Sequence, residues 1–206
     1  MAKEKVDPIQ EQLIQARRDQ ILAAAISVFA EKGFQHATIR DVAKAAGIAD
    51  GTIYNYFENK MALIMGILNR MNDTEDRDSD MGQAIGQDLH EFFRTYIGQR
   101  YGYMNDEGLE ILRAVLPEVL VNPELRDAYM EQIITPTFGV SEKHFGKLVE
   151  DGTIRPVDVP LTLRVISATF LGLLLLRMLG DPVVANQWDD LPEAVVSMTL
   201  DGLKPS

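Results

Sequence analysis

The chain has no cysteine, which excludes disulfides, thiol catalysis and cysteine-ligated zinc or iron–sulfur centres and leaves the redox compartment unmarked. It also lacks an excess of positive charge: 31 acidic residues outnumber 20 basic ones over 206 positions, a net charge of −11. Taken whole, that balance argues against a general nucleic-acid binder, which carries a positive footprint. Long hydrophobic runs are missing too. The longest, Val165 to Leu176, is twelve residues closed by Arg164 and Arg177, where a membrane span needs roughly 18; it reads as a buried or interface helix. Met1 to Gln10 shows no apolar stretch or cleavage site of a signal peptide, so a cytoplasmic location is expected. His36, His90 and His144 stand singly, without metal-ligand spacing, and there is no phosphate-binding glycine loop or nucleophile elbow. No metal, cofactor or catalysis is expected.

What is present is helical periodicity, from end to end. Ile14, Ile21, Ala25, Val28 and Phe29 share one face of a helix from about Glu11 to Lys32, stopped by Gly33. Thr38 offers a cap for a short helix to about Ala46, with Asp41 three residues on. A second short helix is expected from about Asp50 to Phe57, and Asn59 can cap a third that carries Leu63, Ile64, Ile67, Leu68 and Met71. The acidic stretch from Asn72 to Asp80 reads as an interdomain loop. Helices then follow at about Met81 to Met104, Gly108 to Leu120, Pro123 to Glu150, Val159 to Leu179 and Leu191 to Leu203. Pro123, Pro160 and Pro192 suit first turns behind the caps Asn122, Asp158 and Asp190, while Pro117 and Pro136 should kink or divide their helices. No strand or repeat stands out, so the expected fold class is all-α.

The informative stretch is Gly33 to Leu63. Two short helices joined by a tight glycine-containing turn are the signature of a helix-turn-helix. Ile39, Val42 and Ala43 supply the apolar side of the first helix. Ala46 lets the helices approach, Gly47 permits a left-handed turn, and Ile48 plugs the crevice. Ile53 and Phe57 anchor the second helix, which turns Tyr54, Asn55 and Tyr56 outward.

Gly33-Phe34, then Ala37-Thr38-Ile39-Arg40-Asp41-Val42-Ala43, Ala46-Gly47-Ile48, Gly51-Thr52-Ile53-Tyr54-Asn55-Tyr56-Phe57, Lys60 and Leu63 together resemble the TetR family of bacterial transcriptional regulators, over about Gln15 to Leu68. The resemblance implies that Thr38 and Arg40 meet the DNA backbone, and that Gly51, Thr52, Tyr54 and Asn55 lie on a major-groove recognition helix. It also implies that Tyr56 and Lys60 contact phosphates. Asn55 is the residue expected to read a base. Two departures stand out. Ala49 occupies a position where family members often carry Ser or Thr, leaving Asp50 to cap the recognition helix, and Asp50 and Glu58 add negative charge near the DNA surface. Lys3, Lys5, Arg17 and Arg18 form either a compensating basic arm or a solvated tail.

The expected organisation is a flexible arm over 1–10, a DNA-binding domain over 11–58 and an effector-binding and dimerisation domain over 59–206. Within the last, an aromatic and methionine stripe of Phe92, Tyr96, Tyr103, Met104, Tyr129, Met130 and Ile133 suggests an apolar or aromatic effector held among facing helices. Arg100 or Glu110 is the candidate polar anchor. Four consecutive leucines, Leu173 to Leu176, cannot all face one small core, so Leu171, Leu174, Leu175, Met178 and Val195 are expected to meet a second copy. The reading is a homodimeric repressor, released from a palindromic double-stranded operator by a small molecule. Its rivals are a DNA-binding regulator with a protein partner, and a small-molecule binder or enzyme with a vestigial DNA head. The charge divides accordingly: residues 1–64 carry eight basic and eight acidic side chains, and the whole excess of −11 falls in 65–206. A neutral head under an acidic body discourages unspecific sticking to DNA.

Overall fold

A computed structural model describes residues 7–70, 72, 74–84, 88–102 and 105–204, with backbone alone for 74–77 and 106–107. The described residues form helices and connecting turns, without strands. They gather into two units: residues 1–70 with 110–127, and 71–109 with 128–206.

The first unit opens with α1 (Pro8–Lys32), which starts three residues earlier than its periodicity predicts, so Pro8, Ile9 and Gln10 belong to the helix and not to an arm. The Asp7 side chain accepts from the Ile9 N–H at 3.1 Å, and Pro8 sits in the first turn, where its missing N–H goes unnoticed. α2 (Ile39–Ala45), α3 (Asp50–Ile53) and α4 (Lys60–Arg70) follow. Ile21, Ala25, Phe29, Val42, Ala43, Ile53, Phe57, Leu63 and Ile64 are buried together, and Phe29 meets Phe34 edge to face at 5.3 Å. This unit also takes Glu110–Asp127, where the Glu118 carboxylate is buried and accepts from Gln35 Nε2 at 2.7 Å.

In the second unit the expected acidic loop is a helix, α5 (Thr74–Ala84), separate from α6 (Leu89–Gly102). Polar composition misled the reading because the carboxylates find tertiary partners. Asp78 binds His144 at 2.7 Å and Lys143 at 3.3 Å, Asp80 accepts from Gln99 at 3.0 Å, and Met81 and Ala84 enter the core. α7 (Asp106–Val121), with Pro117 in its interior, and α8 (Pro123–Tyr129), capped by Asn122 as expected, belong mostly to the first unit.

The helix expected over Pro123–Glu150 is divided just before Pro136, as predicted. A π-helical turn, Met130–Ile134, leads into α9 (Thr135–Glu150), with the Thr135 N–H bonded back to the Met130 carbonyl. The wider turn adds one residue just where proline would clash with the carbonyl four residues back, and Pro136 falls in the first turn of α9. α10 (Val159–Met178) is capped by Asp158, whose side chain accepts from the Leu161 N–H at 2.9 Å. α11 (Pro182–Asn186), unforeseen in the sequence, is capped by Asp181. Before α12 (Leu191–Leu203) the expected cap fails: Asp190 ends a 3-10 turn and makes no side-chain cap bond.

The core of this unit joins α5, α6, α9, α10 and α12 around Phe92, Phe93, Tyr96 and Phe145, with Phe145 at 5.5, 5.4 and 5.0 Å from the other three rings. At its edge Tyr101 stacks on Trp188 at 4.7 Å and donates its hydroxyl to the Trp188 carbonyl at 2.7 Å. Arg177 covers the other indole contact at 4.1 Å.

Candidate nucleic-acid interface and effector unit

The turn between α2 and α3 is set by Gly47, at φ +67°. Its N–H bonds the Lys44 carbonyl at 3.2 Å and the Ile48 N–H bonds the Ala43 carbonyl at 3.0 Å, the paired closure that ends a helix on a left-handed residue. A side chain at this φ costs about 1–2 kcal/mol. From α1, Gln20 Nε2 donates to the Ala46 carbonyl at 2.7 Å, which holds the end of α2.

Thr38 closes a capping box with Asp41: the Asp41 N–H reaches Thr38 Oγ1 at 3.1 Å, and the Thr38 N–H reaches Asp41 Oδ2 at 3.0 Å. The Thr38 hydroxyl donates to the same carboxylate, which also pairs with Lys32 at 2.6 Å. The Lys32 bond first, and those from Thr38 next, pull the Asp41 pKa down to about 2. A lowered carboxylate pKa stabilises the fold above the ordinary value, and that support is lost as pH falls from there toward 2. The hydroxyl of Thr38 is thus engaged before any phosphate arrives.

α3 is shorter than expected. Ala49 provides no side-chain cap, and Asp50 does not take over; it lies 3.4 Å from Arg40 Nε instead. With Gly51 and two β-branched residues in its single turn, regular α-helix ends at Ile53, and Asn55 to Phe57 continue as tight turns onto the Thr52 and Ile53 carbonyls. Ile53 and Phe57 are buried, while Tyr54 and Asn55 are exposed and Thr52 and Tyr56 half-buried. Gly51 and Arg40 are also open to solvent, the Arg40 side chain at 85%.

Lys60 and Arg18 have other employment than expected. The Lys60 ammonium donates to the carbonyls of Phe34, Gln35 and Ala37 at 2.6, 3.3 and 3.0 Å and lies over the Phe34 ring at 4.3 Å. It closes the α1–α2 turn, whose carbonyls have no helix to bond. Arg18 lies within α1, where it donates to the Tyr56 carbonyl at 3.0 Å and covers Phe57 at 4.6 Å. Arg17 bonds Gln20 on the same helix, and Lys3 and Lys5 lie outside the described residues. Lys60→Met is therefore expected to destabilise the first unit by about 2 kcal/mol through three abandoned carbonyls, or about 4–8 °C in Tm. A thermal melt without DNA checks this; an unchanged melt, with a shallower salt dependence of DNA binding, would return Lys60 to the phosphates.

The family description "Bacterial regulatory proteins, tetR family" matches residues 21–65, which hold this whole arrangement. Over nearly the full length, the chain is 27% identical to the HTH-type transcriptional repressor KstR2 of Rhodococcus jostii, across 194 residues and 91% of each protein. Over residues 21–65 the chain is similar to the TetR family of regulators. The fatty acid metabolism regulator protein of Bacillus subtilis is 46% identical over 48 residues, which span 23% of this chain and 25% of that relative. The Bacillus subtilis regulator FadR, solved in complex with stearoyl-CoA, superposes with a TM-score of 0.70 at 25% identity, covering 89% of this chain and 97% of that one.

TetR-family regulators pair their DNA-binding head with a helical ligand-binding domain. Here the expected ligand residues scatter. Phe92, Tyr96 and Ile133 are buried, Tyr129 is half-buried, Met130 is exposed, and Tyr103 and Met104 lie outside the described residues. Glu110 belongs to the first unit, where it lines an open groove of about 810 Å³ with His36, Arg113 and Glu118. Arg100 is the polar group that reaches the aromatic core. Its guanidinium lies 3.9 Å above the Tyr96 ring and donates to Ser141 Oγ at 3.5 Å, and burial pushes its pKa down from the ordinary guanidinium value.

Of the expected dimer residues, Leu174 and Val195 are buried in the unit's own core. The inner stripe of α10 is Leu163, Ile166, Phe170 and Leu174, and the helix is apolar outside it as well. Leu161, Val165, Leu171, Leu175 and Leu179 are exposed, with Met178 half-buried and Met198 of α12 at 77%. An apolar groove of about 400 Å³ runs between the two helices. Counted as a helix and not as a run, α10 is long and apolar enough to cross a membrane, with a mean hydropathy of 2.0 over a stretch only 22% buried. Its packing on α9 makes it a bundle helix with a bare second face.

Proposed function

We propose that this protein is a TetR-family repressor that binds a palindromic operator as a homodimer in the cytoplasm and is released by a small apolar molecule. The observation that carries the DNA reading is the pairing of exposed Tyr54 and Asn55 with a rigidly held turn behind them. Their backbone is pinned by Ile53, Phe57 and Arg18, so the two side chains are free to read base edges. Arg40 is open to the phosphate backbone once Asp50 lets go of it. The bare face of α10 and α12 supports the dimer, which would set two heads on successive major grooves. The ligand reading leans on the relative solved with stearoyl-CoA. Release follows if the effector prefers the conformation whose heads do not match the operator; equal effector affinity with and without operator would rule that out.

Selection of bound sequences from a random DNA pool tests the reading. A palindromic consensus is expected, and Asn55→Ala should relax one position per half-site and weaken binding by about 1–3 kcal/mol. No enrichment at low salt would end the DNA reading.

A further inference from the structure

Arg100 is held in a place that gives its charge little return. The guanidinium carries five N–H donors, yet among the described residues it makes one hydrogen bond, to Ser141 Oγ at 3.5 Å, and no ion pair. The Ser141 hydroxyl donates to the Thr137 carbonyl at 3.2 Å, so toward Arg100 its oxygen is a neutral acceptor and nothing more. Among the described residues, three carboxylates of α5 and α9 are already taken. Asp78 is bound by His144 and Lys143, Asp80 by Gln99, and Glu142 by Arg164 at 3.0 Å. One helical turn beyond Ser141, on the same face of α9, His144 is 3% exposed, and its Nδ1 is buried without a hydrogen-bond partner. A positive group lacking a counter-charge and a buried ring nitrogen lacking a bond are each unfavourable in the unliganded protein. Arg100 lies against Tyr96, part of the aromatic core with Phe92 and Phe145.

We propose that the small molecule taken up by the second unit carries an anionic oxygen group, a carboxylate or a phosphate, which pairs with the Arg100 guanidinium between α6 and α9. The planar fork of arginine binds two oxygens of such a group at once. Ser141 and Tyr96 hold the guanidinium flat for that pairing. The inference rests on the reading that this unit binds a small molecule, and adds which chemical class it selects.

Isothermal titration of the full-length protein with four probes of one chain length tests it: dodecanoate, dodecyl phosphate, methyl dodecanoate and dodecanol, each below its micelle concentration. One or both anions should bind about tenfold or more tighter than the neutral probes. The stronger of the two identifies the headgroup. Arg100→Gln should abolish that preference while leaving the neutral probes unchanged, and Arg100→Lys should restore part of it. The unliganded Arg100→Gln protein should melt no lower than the wild type, because the replaced charge has no counter-charge to lose and its removal ends the cost of burying it. Equal binding of all four probes overturns the anion inference and leaves the small-molecule reading standing. A preference that survives Arg100→Gln overturns it as well, as does a variant that melts lower and weakens all probes alike, which would make Arg100 a structural residue. Binding of none of the four overturns both readings.

Discussion

Leu175→Glu is expected to leave the protein folded but monomeric, with operator binding weakened on the order of a hundredfold. The leucine is 50% exposed on the outer stripe of α10, so a carboxylate there meets water in the single chain and folding is untouched. If two copies pair through this bare face, the variant buries a carboxylate from each of them in an apolar seam without a partner. Loss of pairing removes the linkage between two half-site contacts, and that linkage supplies most of the affinity of a two-headed binder. Sedimentation velocity reads the first effect and a gel shift the second. A variant that stays dimeric and binds operator normally would place the interface elsewhere. Leu174→Glu is the contrasting change: 2% exposed and pointing inward, it should unfold the second unit and not separate two copies.

The largest loss of stability is expected from Phe145→Ala. The ring is fully buried and meets Phe92, Phe93 and Tyr96 in three edge-to-face contacts. Truncation removes the transfer free energy of the ring and leaves a cavity that four helices cannot collapse into, about 3–5 kcal/mol together. The second unit should then melt about 10 °C lower or more. Phe145→Leu should fall between, since it keeps much of the volume and loses the ring contacts, each worth about 0.5–1.5 kcal/mol. Calorimetry separates the two variants, and a drop in Tm for Phe145→Ala no larger than for an exposed substitution would contradict the packing described.

Local chemistry was the legible part of this chain. Thr38, Gly47, Asn59 and Asp158 each act within a few residues of their own position, and each performs the task its spacing predicts. Ile53 and Phe57 are buried as expected, although the α-helix ends at Ile53 and tight turns bring Phe57 to the core. Where the outcome depends on partners far along the chain, spacing was silent. Lys60 and Arg18 read as cations available to DNA, yet backbone carbonyls 23 to 38 residues away claim them. The acidic stretch before Met81 read as a loop until His144 and Lys143, more than 60 residues on, supplied its partners. On α10 the four leucines made every phase of the helix look alike, so composition announced two apolar faces without saying which was which. Arg100 was visible as a polar residue in an aromatic stripe. Its want of a counter-charge is a property of the packed unit alone.

Trp188, the single tryptophan of the chain, lies between Tyr101 of α6 and Arg177 of α10. The molecule therefore carries a built-in optical reporter. Selective excitation of the indole samples the second unit and leaves the DNA-binding head dark. A stacked phenol and an overlying guanidinium make its emission sensitive to small relative movements of the two helices that hold them. Ligand uptake can thus be followed in the unlabelled protein, in the presence of operator, from a change in indole intensity and wavelength.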